Sequence, residues 1–499
     1  MNINQIIRRE SGLPAVFTRA QLAAIAVGAV ISYGVVSGSS FPLTVAGPAA
    51  VLSYAAAALV SLLLMRCLSD MTAAHPTPGG FASYAEAFLG PRTGFVVRAA
   101  YVISVVAIVG TEIAMLERVL AWWLPQVPPS LVVIALLAGL NLLHLAGARV
   151  FAWVELALSA VKALALLALI VIACVYAFNA APPTVEGARA ASSSILAGMT
   201  GPQLWQAFTI ATMGFIGLEV MSIAGAETRV PARVPARVPA RVPARVPARV
   251  PARGLGRSMR RAAWCVVVLV VAGVAASAWF QWHEPVAPNL TPFVQLLEMA
   301  KLPGAQLAFT VLMAVTVVSV LNCQIYGGSR MLFSMARAGQ APAVLGRAGK
   351  LRTPVTVVVA AAMLVYAAHL VFPGVVYVAA SSMAITSLLA IWIVIFLVHI
   401  RFQRGGVEGR GGAGHSGAGH SGEGHSAKGV WRGVAGVLVM MAISASTLQI
   451  DAFAPALLYG IPLWLVLALA AMCLPNKTTT HHPDNIGRKC KNMKDLAEI

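Results

Sequence analysis

Charged side chains are scarce in this sequence. Asp, Glu, Lys and Arg make up 11% of its 499 residues, whereas soluble domains contain about 25%. Carboxylates are the scarcer group, with 17 Asp and Glu against 36 Lys and Arg, and apolar residues fill 59% of the chain. This composition, with a mean hydropathy of +0.81, excludes an ordinary soluble enzyme. The net charge of +19 then has two competing explanations, binding to nucleic acid or membrane topology.

Cysteine motifs and a leader sequence are also missing. The six cysteines are scattered without a C-x-x-C or metal-ligand spacing, so we expect small core residues, no disulfides and no metal site. The sequence shows no nucleophile with a matching base and no phosphate-binding loop, so neither an enzyme nor a cofactor is predicted. Residues 1–19 are polar, and we expect no removable signal peptide there.

Long apolar stretches, in contrast, are abundant. A membrane-spanning helix needs about 20 mostly apolar residues, because about 30 Å of hydrocarbon is crossed at about 1.5 Å per residue. Each stretch is predicted to be helical, since backbone amides facing lipid must be paired within the segment. The sequence therefore predicts an all-α integral membrane protein with twelve transmembrane helices. They cover approximately 20–41, 49–68, 95–123, 131–147, 151–178, 204–226, 262–282, 305–336, 353–372, 375–400, 431–449 and 454–474.

Basic residues predict the orientation of these helices, because loops rich in Lys and Arg stay on the cytoplasmic side. With a cytoplasmic N-terminus, 32 of the 36 basic side chains fall in cytoplasmic segments. We therefore expect a multi-pass protein of the bacterial cytoplasmic membrane with both termini inside. Its partners would be the lipid bilayer and a small-molecule substrate, and a nucleic acid is no longer needed to explain the charge. The oligomeric state stays open.

Low-complexity tracts lie in two of the predicted cytoplasmic loops. RVPA is repeated six times within 229–253, where a proline at every fourth residue favours extended backbone. It is either a neutral expansion or a polybasic strip that binds anionic lipid headgroups. The Gly/His/Ser-rich loop 401–430 is interpreted as a flexible linker, with metal capture by its histidines as the alternative.

The predicted order is a cytoplasmic segment 1–19, helices 20–178, helices 204–400, the loop 401–430, helices 431–474 and a cytoplasmic tail 475–499.

The first ten helices form two groups of five. Because five is an odd number, the two groups must have opposite orientations, which predicts a 5+5 inverted repeat followed by two C-terminal helices. The first helix of each group contains several glycines and serines, around 28–40 and 214–225. Paired interruptions of this kind indicate a transporter's binding site near the middle of the membrane, although glycines can also serve helix packing alone. The residues expected to bind substrate are Ser32, Tyr33, Gly34, Ser37, Gly38, Met213, Phe215, Gly217 and Glu219.

Three charged residues lie deep within the predicted helices. A charge at membrane depth costs roughly 2.5–3.5 kcal/mol, so it is a functional candidate. Lys162 lies thirteen residues beyond Arg149, about 20 Å along the fifth helix. It is expected to exchange a proton or to pair permanently with a carboxylate, and the two roles do not exclude each other. Glu219 and Glu112 are expected to carry a coupling proton or to hold a substrate ammonium, against the alternative of a packing contact between helices.

Several segments, in order, resemble the amino acid permeases of the amino acid-polyamine-organocation superfamily, and in particular the bacterial amino acid transporter branch. They are AGPAAVLSY at 46–54, MRCLSDMTAAHPTPGGFASYAEAFLGP at 65–91, VFAWVELALSAVK at 150–162, GFIGLEVMSIAGAETRVP at 214–231 and LNCQIYGGSRMLFSMARAGQAP at 321–342. The resemblance implies the leucine-transporter-type fold and import of an amino acid by alternating access. It also implies that Lys162 occupies the position of a cation in sodium-coupled relatives, and hence that the coupling ion is a proton.

The first interruption departs from this family. It reads ISYGVVSG at 31–38, where the family has approximately IGTGLF, so Ser32 replaces a glycine and Tyr33 a small hydroxyl residue. A Cβ at these positions can obstruct the approach of a carboxylate to the backbone. Two alternatives therefore stand beside proton-coupled import: an amino acid or amine exchanger, and a transporter-like sensor or inactive remnant.

Overall fold

A computed structural model describes residues 2–32, 40–123, 126–179, 200–229, 253–283, 304–347, 352–408, 427–450 and 454–473. These residues fold almost entirely as α-helices. In chain order the helices are α1 (Ile3–Arg9), α2 (Arg19–Val30), α3 (Ser40–Ala46), α4 (Ala50–Ala74), α5 (Gly80–Leu89), α6 (Pro91–Trp123), α7 (Pro129–Leu145), α8 (Ala148–Asn179), α9 (Gly201–Met213), α10 (Val220–Ala224), α11 (Arg253–His283), α12 (Ala305–Arg337), α13 (Arg352–Val371), α14 (Pro373–Glu408), α15 (Ala427–Ser446) and α16 (Ala454–Cys473).

Capping boxes begin the first two helices. At α1, Asn2 accepts a hydrogen bond from the backbone of the first turn while the Gln5 side chain returns to the Asn2 N–H. At α2, Thr18 and Gln21 make the same reciprocal pair. Each box pairs N–H groups that a helix start leaves without partners. Residues of the polar N-terminal segment therefore fix where α1 and α2 begin.

Eight helices of the described chain are long and apolar enough to cross a membrane, and Arg19–Val30, Pro129–Leu145 and Leu458–Cys473 are shorter apolar helices. Helices also occupy every one of the twelve predicted stretches. Several of these helices continue beyond the apolar stretch into charged residues, since α11 begins at Arg253 and α14 continues to Glu408. The prediction of an all-helical membrane protein is confirmed.

Two predicted helices are interrupted as expected. The first ends at Val30, and the next described helix begins at Ser40. The sixth is divided into α9 and α10 by turns over 214–219. The RVPA tract from 230, the histidine tract and the C-terminal tail lie outside the described residues, so their predictions remain untested.

The helices differ in how much of their surface other helices cover. In the most apolar window of α12, 61% of the residues are buried, against 28% in α8. Helix α12 packs against α6 and α8, and α4 packs along α11. The prediction of core cysteines is confirmed for Cys67 and Cys323, which are buried, and is wrong for Cys174, Cys265 and Cys473, which are exposed. Cys490 lies outside the described residues.

Candidate functional site

The turn that divides the sixth predicted helix lies against the end of α2. Gly217, in the turn between α9 and α10, has φ +117°, and a Cβ built on it would lie 2.6 Å from the carbonyl oxygen of Ala29 near the end of α2. Both the backbone angle and this close approach require glycine. The turn between α9 and α10 therefore lies against the end of α2, and the predicted binding site at the two interruptions stays a prediction.

Lys162, on α8, reaches the end of the first interrupted helix. Its Nζ donates to the carbonyl oxygens of Gly28 and Ile31, both at 3.0 Å, and the side chain is 1% exposed. The last carbonyls of a helix have no partner within it and carry partial negative charge. A single ammonium therefore satisfies the carbonyl end of α2 at the point where the helix stops.

Glu155 lies two turns before Lys162 on α8 and is fully buried. Its Oε1 accepts hydrogen bonds from Ser159 at 2.7 Å and Ser319 at 2.6 Å, and its Oε2 accepts one from Asn322 at 2.8 Å. A Cβ on Gly28 would lie 2.0 Å from Glu155 Oε1, so glycine is needed where α2 crosses this carboxylate. The lysine and its surroundings form what we name the Lys162 site: Gly28, Ile31, Glu155, Ser159, Lys162, Ser319 and Asn322.

Glu219 lies in the second interruption and is 2% exposed. Its Oε2 accepts hydrogen bonds from the N–H of Gly217 at 3.0 Å and from Nε1 of Trp392 at 3.2 Å. The carboxylate therefore ties the turn to α14. Its predicted contact with a substrate ammonium stays a prediction.

The remaining predicted residues are placed as follows. Phe215 is fully buried with its ring centroid 6.4 Å from that of Tyr54, and Met213 is half-buried. Glu112 Oε2 is buried without a hydrogen-bond partner among the described residues. Ser32 is half-buried directly after α2. Tyr33, Gly34, Ser37 and Gly38 lie outside the described residues.

A second polar centre lies at the end of the helices that is predicted to be cytoplasmic. Glu10 is fully buried and accepts hydrogen bonds from Thr77, Ser83 at 2.9 Å and Ser334 at 2.8 Å. Arg98, on α6, lies 3.2 Å from Glu10 and 2.6 Å from Glu86. These contacts join the N-terminal segment to α5, α6 and α12. We name the group the Glu10 cluster: Arg9, Glu10, Thr77, Ser83, Glu86, Arg98 and Ser334.

The Glu10 cluster balances two carboxylates with two guanidinium groups. Arg9 binds Glu86 through two hydrogen bonds of 2.8 and 2.7 Å. Burial alone would raise the pKa of Glu86, but the hydrogen bonds and charges of Arg9 and Arg98 outweigh it and lower the pKa to about 2. Burial likewise opposes the charge of Arg9, yet Glu86 and Glu10 raise its pKa. Both groups are therefore held in their charged forms.

A smaller ion pair lies beside the Glu10 cluster. Arg330 Nε lies 2.9 Å from Glu227, which also accepts from the Tyr326 hydroxyl at 3.0 Å. The backbone of Glu227 accepts from the N–H groups of Val16 and Phe17, at 2.7 and 2.9 Å. The segment before α2 is therefore bound to the segment after α10 through both main chain and side chains.

Sequence reasoning missed most of these partners. It left Glu155 uninterpreted and counted Arg98 and Arg330 only as orientation signals. The sequence did contain a signal for the partners of Glu155. Ser319, Asn322 and Cys323 have the spacing of one helix face within an apolar stretch. The partners of Arg98 had no such local signal.

Comparison with known proteins supports a transporter. The chain matches the amino acid permease family over residues 21–246 and 248–481. It is 27% identical over 368 residues to a gamma-aminobutyric acid permease of Bacillus subtilis, covering 72% of this chain and 73% of that protein. It is 23% identical over 390 residues to an aromatic amino acid transport protein of Escherichia coli, covering 77% and 80%.

A solved structure shows the same fold. A mutant manganese transporter of Eremococcus coleocola superimposes with a TM-score of 0.55 at 12% identity, covering 91% of this chain and 94% of that one. This similarity concerns the fold alone. The family match extends over both interrupted helices and over the lysine between them. The chain therefore belongs to the amino acid permease family, whose members are multi-pass membrane transporters and not enzymes.

Proposed function

We propose that this protein imports an amino acid across the bacterial cytoplasmic membrane, coupled to protons, by alternating access. The observation that carries the proposal is the position of Lys162, whose ammonium holds the carbonyl end of α2 beside the second interruption. The proposed architecture has twelve spans with both termini inside, arranged as a 5+5 inverted repeat of the leucine-transporter type with two further helices. The paired interruptions and the distribution of basic residues support it.

The substrate would bind where the two interruptions meet. Backbone N–H groups at the starts of α3 and α10 would attract a carboxylate, because helix N-termini carry partial positive charge. Glu219 and Glu112 would hold or relay positive charge. Phe215 and Met213 would cover the substrate's apolar part, together with Tyr33 from the first interruption.

Lys162 would couple protons to this movement. While it is an ammonium, it satisfies two carbonyls of α2 and fixes the end of that helix. Loss of a proton would remove the charge that these carbonyls attract, so α2 would be released from α8. Opening of the cytoplasmic side would also require the contacts of the Glu10 cluster and of Glu227 to separate, since the Glu10 cluster attaches the N-terminal segment to α5, α6 and α12. Glu227 holds the same segment through its backbone and α12 through Arg330.

The substrate class is narrowed by the relatives, which are named as gamma-aminobutyric acid and aromatic amino acid permeases. Purified protein should therefore be screened by thermal unfolding against both compounds, the other amino acids and polyamines, because a ligand stabilises the state that it binds. A Ser32→Gly/Tyr33→Thr variant in the same screen measures what the departures from the family's first interruption do to binding.

The coupling role is tested with Lys162→Met in proteoliposomes. We expect this variant to lose accumulation of the identified ligand driven by an inward proton gradient, because the neutral side chain cannot exchange a proton. Lys428→Met, at the start of α15 and outside the site, is the matched control and should accumulate ligand normally. Accumulation by Lys162→Met that still follows the pH gradient would contradict the coupling role.

Three alternative functions, an exchanger, a sensor and an inactive remnant, give different results in the same vesicles. An exchanger would take up ligand only when the vesicles are preloaded with an internal amino acid or amine. A sensor would bind ligand without flux, and an inactive remnant would show neither. Uptake into empty vesicles under a proton gradient distinguishes the proposed importer from all three.

A further inference from the structure

A cavity of about 330 Å³ lies between α4 and α11, away from the interrupted helices. Four arginines line it, one on α4 and three at the start of α11, together with four apolar residues. The lining residues are Leu62, Met65, Arg66, Arg257, Arg260, Arg261, Ala263 and Trp264. We name it the arginine pocket.

The arginine pocket carries more positive charge than the neighbouring carboxylate of Asp70 balances. Asp70 lies 3.6 Å from Arg66 and 3.4 Å from Arg260, which leaves Arg257 and Arg261 without an ion-pair partner among the described residues. Both of these arginines are exposed. The net charge of +3 at a partly enclosed site is matched by an anion with several acceptor oxygens.

The other side of the pocket is apolar. Leu62 and Met65 lie one turn or less before Arg66 on α4, and Trp264 lies one turn beyond Arg260 on α11 with 55% of its surface exposed. Tryptophan concentrates where the hydrocarbon meets the headgroups, and arginines just beyond it lie at headgroup depth. A ligand with an anionic head and an apolar tail would contact both the arginines and the apolar residues, whereas a free anion would contact only the arginines.

We propose that the arginine pocket binds the phosphate of an anionic phospholipid. Basic pockets between membrane helices are suited to such headgroups, each arginine adding an attraction to the lipid phosphate. The acyl chain would lie along Leu62 and Trp264. Because α4 and α11 belong to different predicted repeats, the bound lipid would hold the two repeats together at this end. In the proposed orientation, the lipid would come from the inner leaflet. Lipid binding by the arginine pocket does not depend on whether the protein transports an amino acid.

The test measures thermal unfolding of the purified full chain in detergent with added phosphatidylglycerol, phosphatidylethanolamine or inorganic phosphate. We expect phosphatidylglycerol to raise the unfolding temperature of the wild type. In Arg257→Gln/Arg261→Gln its apparent affinity should fall about 30-fold, which corresponds to about 2 kcal/mol. Arg149→Gln/Arg347→Gln is the matched control, since it removes two exposed arginines elsewhere and should respond like the wild type.

Several results would overturn the proposal. An equal response to inorganic phosphate assigns the pocket to a free phosphate ion, and an equal response to phosphatidylethanolamine shows a general lipid effect. An equal loss in the control variant shows that only overall charge matters. The wild type alone gives an independent measurement by native mass spectrometry, where retained phosphatidylglycerol should decrease as salt is raised. Absence of retained lipid at low salt would also reject the site.

Discussion

The Glu10 cluster and the Lys162 site both bury charge, but they compensate it differently. In the Glu10 cluster each carboxylate faces guanidinium groups, with Arg98 between Glu10 and Glu86. In the Lys162 site the ammonium faces neutral carbonyls, and Glu155 is held by hydroxyls and an amide. Among the described residues, the Lys162 site contains no ion pair.

This difference separates a structural contact from one that can respond to a proton. Opposite charges held together in the interior fix one another's protonation, and loss of either leaves an uncompensated charge. When a charge is held only by neutral groups, its loss leaves no uncompensated charge behind. We therefore expect charge removal to be most damaging to stability in the Glu10 cluster and least damaging in the Lys162 site.

The largest effect is expected from Arg98→Met. The change leaves Glu10 and Glu86 with Arg9 alone and removes five hydrogen bonds that the guanidinium donates. Breaking a buried pair from one side typically costs about 3–5 kcal/mol. Thermal unfolding in detergent should show a large decrease in stability. Arg92→Met, at the exposed start of the same helix, is the control, and an equal decrease in both variants would remove the distinction between the regions.

Local features of this fold were predictable from the sequence. The membrane helices were found because about 20 apolar residues leave few alternatives in a membrane. The short helices α1 and α5 were not predicted. The interruptions were found because glycine and serine concentrate there, and Gly217 does have the positive φ that makes glycine necessary. Lys162 was identified because charge at membrane depth is costly. All of these depend on residues close together in the chain.

The partners of the charges could not be predicted in the same way. Arg98 meets Glu10 across 88 residues and Gln340 across 242 residues. Nothing in local spacing selects one carboxylate over another, because the pairing depends on how α1, α6 and α12 pack. Lys162 illustrates the same limit, since the expected alternatives were a proton carrier or a carboxylate pair, whereas its hydrogen-bond acceptors are backbone carbonyls.

A smaller effect on stability is expected when the pH is lowered. The pKa of Glu86 is lowered from an ordinary value of 4.5 to about 2, so between these values the unfolded chain binds a proton that the folded protein does not. Stability from Glu86 is therefore complete above about pH 4.5 and is lost as pH falls towards 2. Unfolding of wild type and Glu86→Gln should be compared from pH 6 downward, in steps of about one unit. Their difference should shrink with acid, and a difference independent of pH would contradict the assignment.

The smallest effect on stability is expected from Glu155→Gln, which removes a charge from the Lys162 site. The hydroxyls of Ser159 and Ser319 can still donate to the remaining carbonyl oxygen. Asn322 can turn its amide to accept from the new NH₂ group, because its Oδ1 has no hydrogen-bond partner among the described residues. We expect the free energy of unfolding to change by about 1 kcal/mol or less. Gly28→Ala is the positive control, because its added Cβ would collide with Glu155 Oε1 and should lower the free energy of unfolding. A loss in Glu155→Gln as large as that of Arg98→Met would show that Glu155 and Lys162 stabilise each other as a charge pair, and the contrast between the two regions would then be wrong.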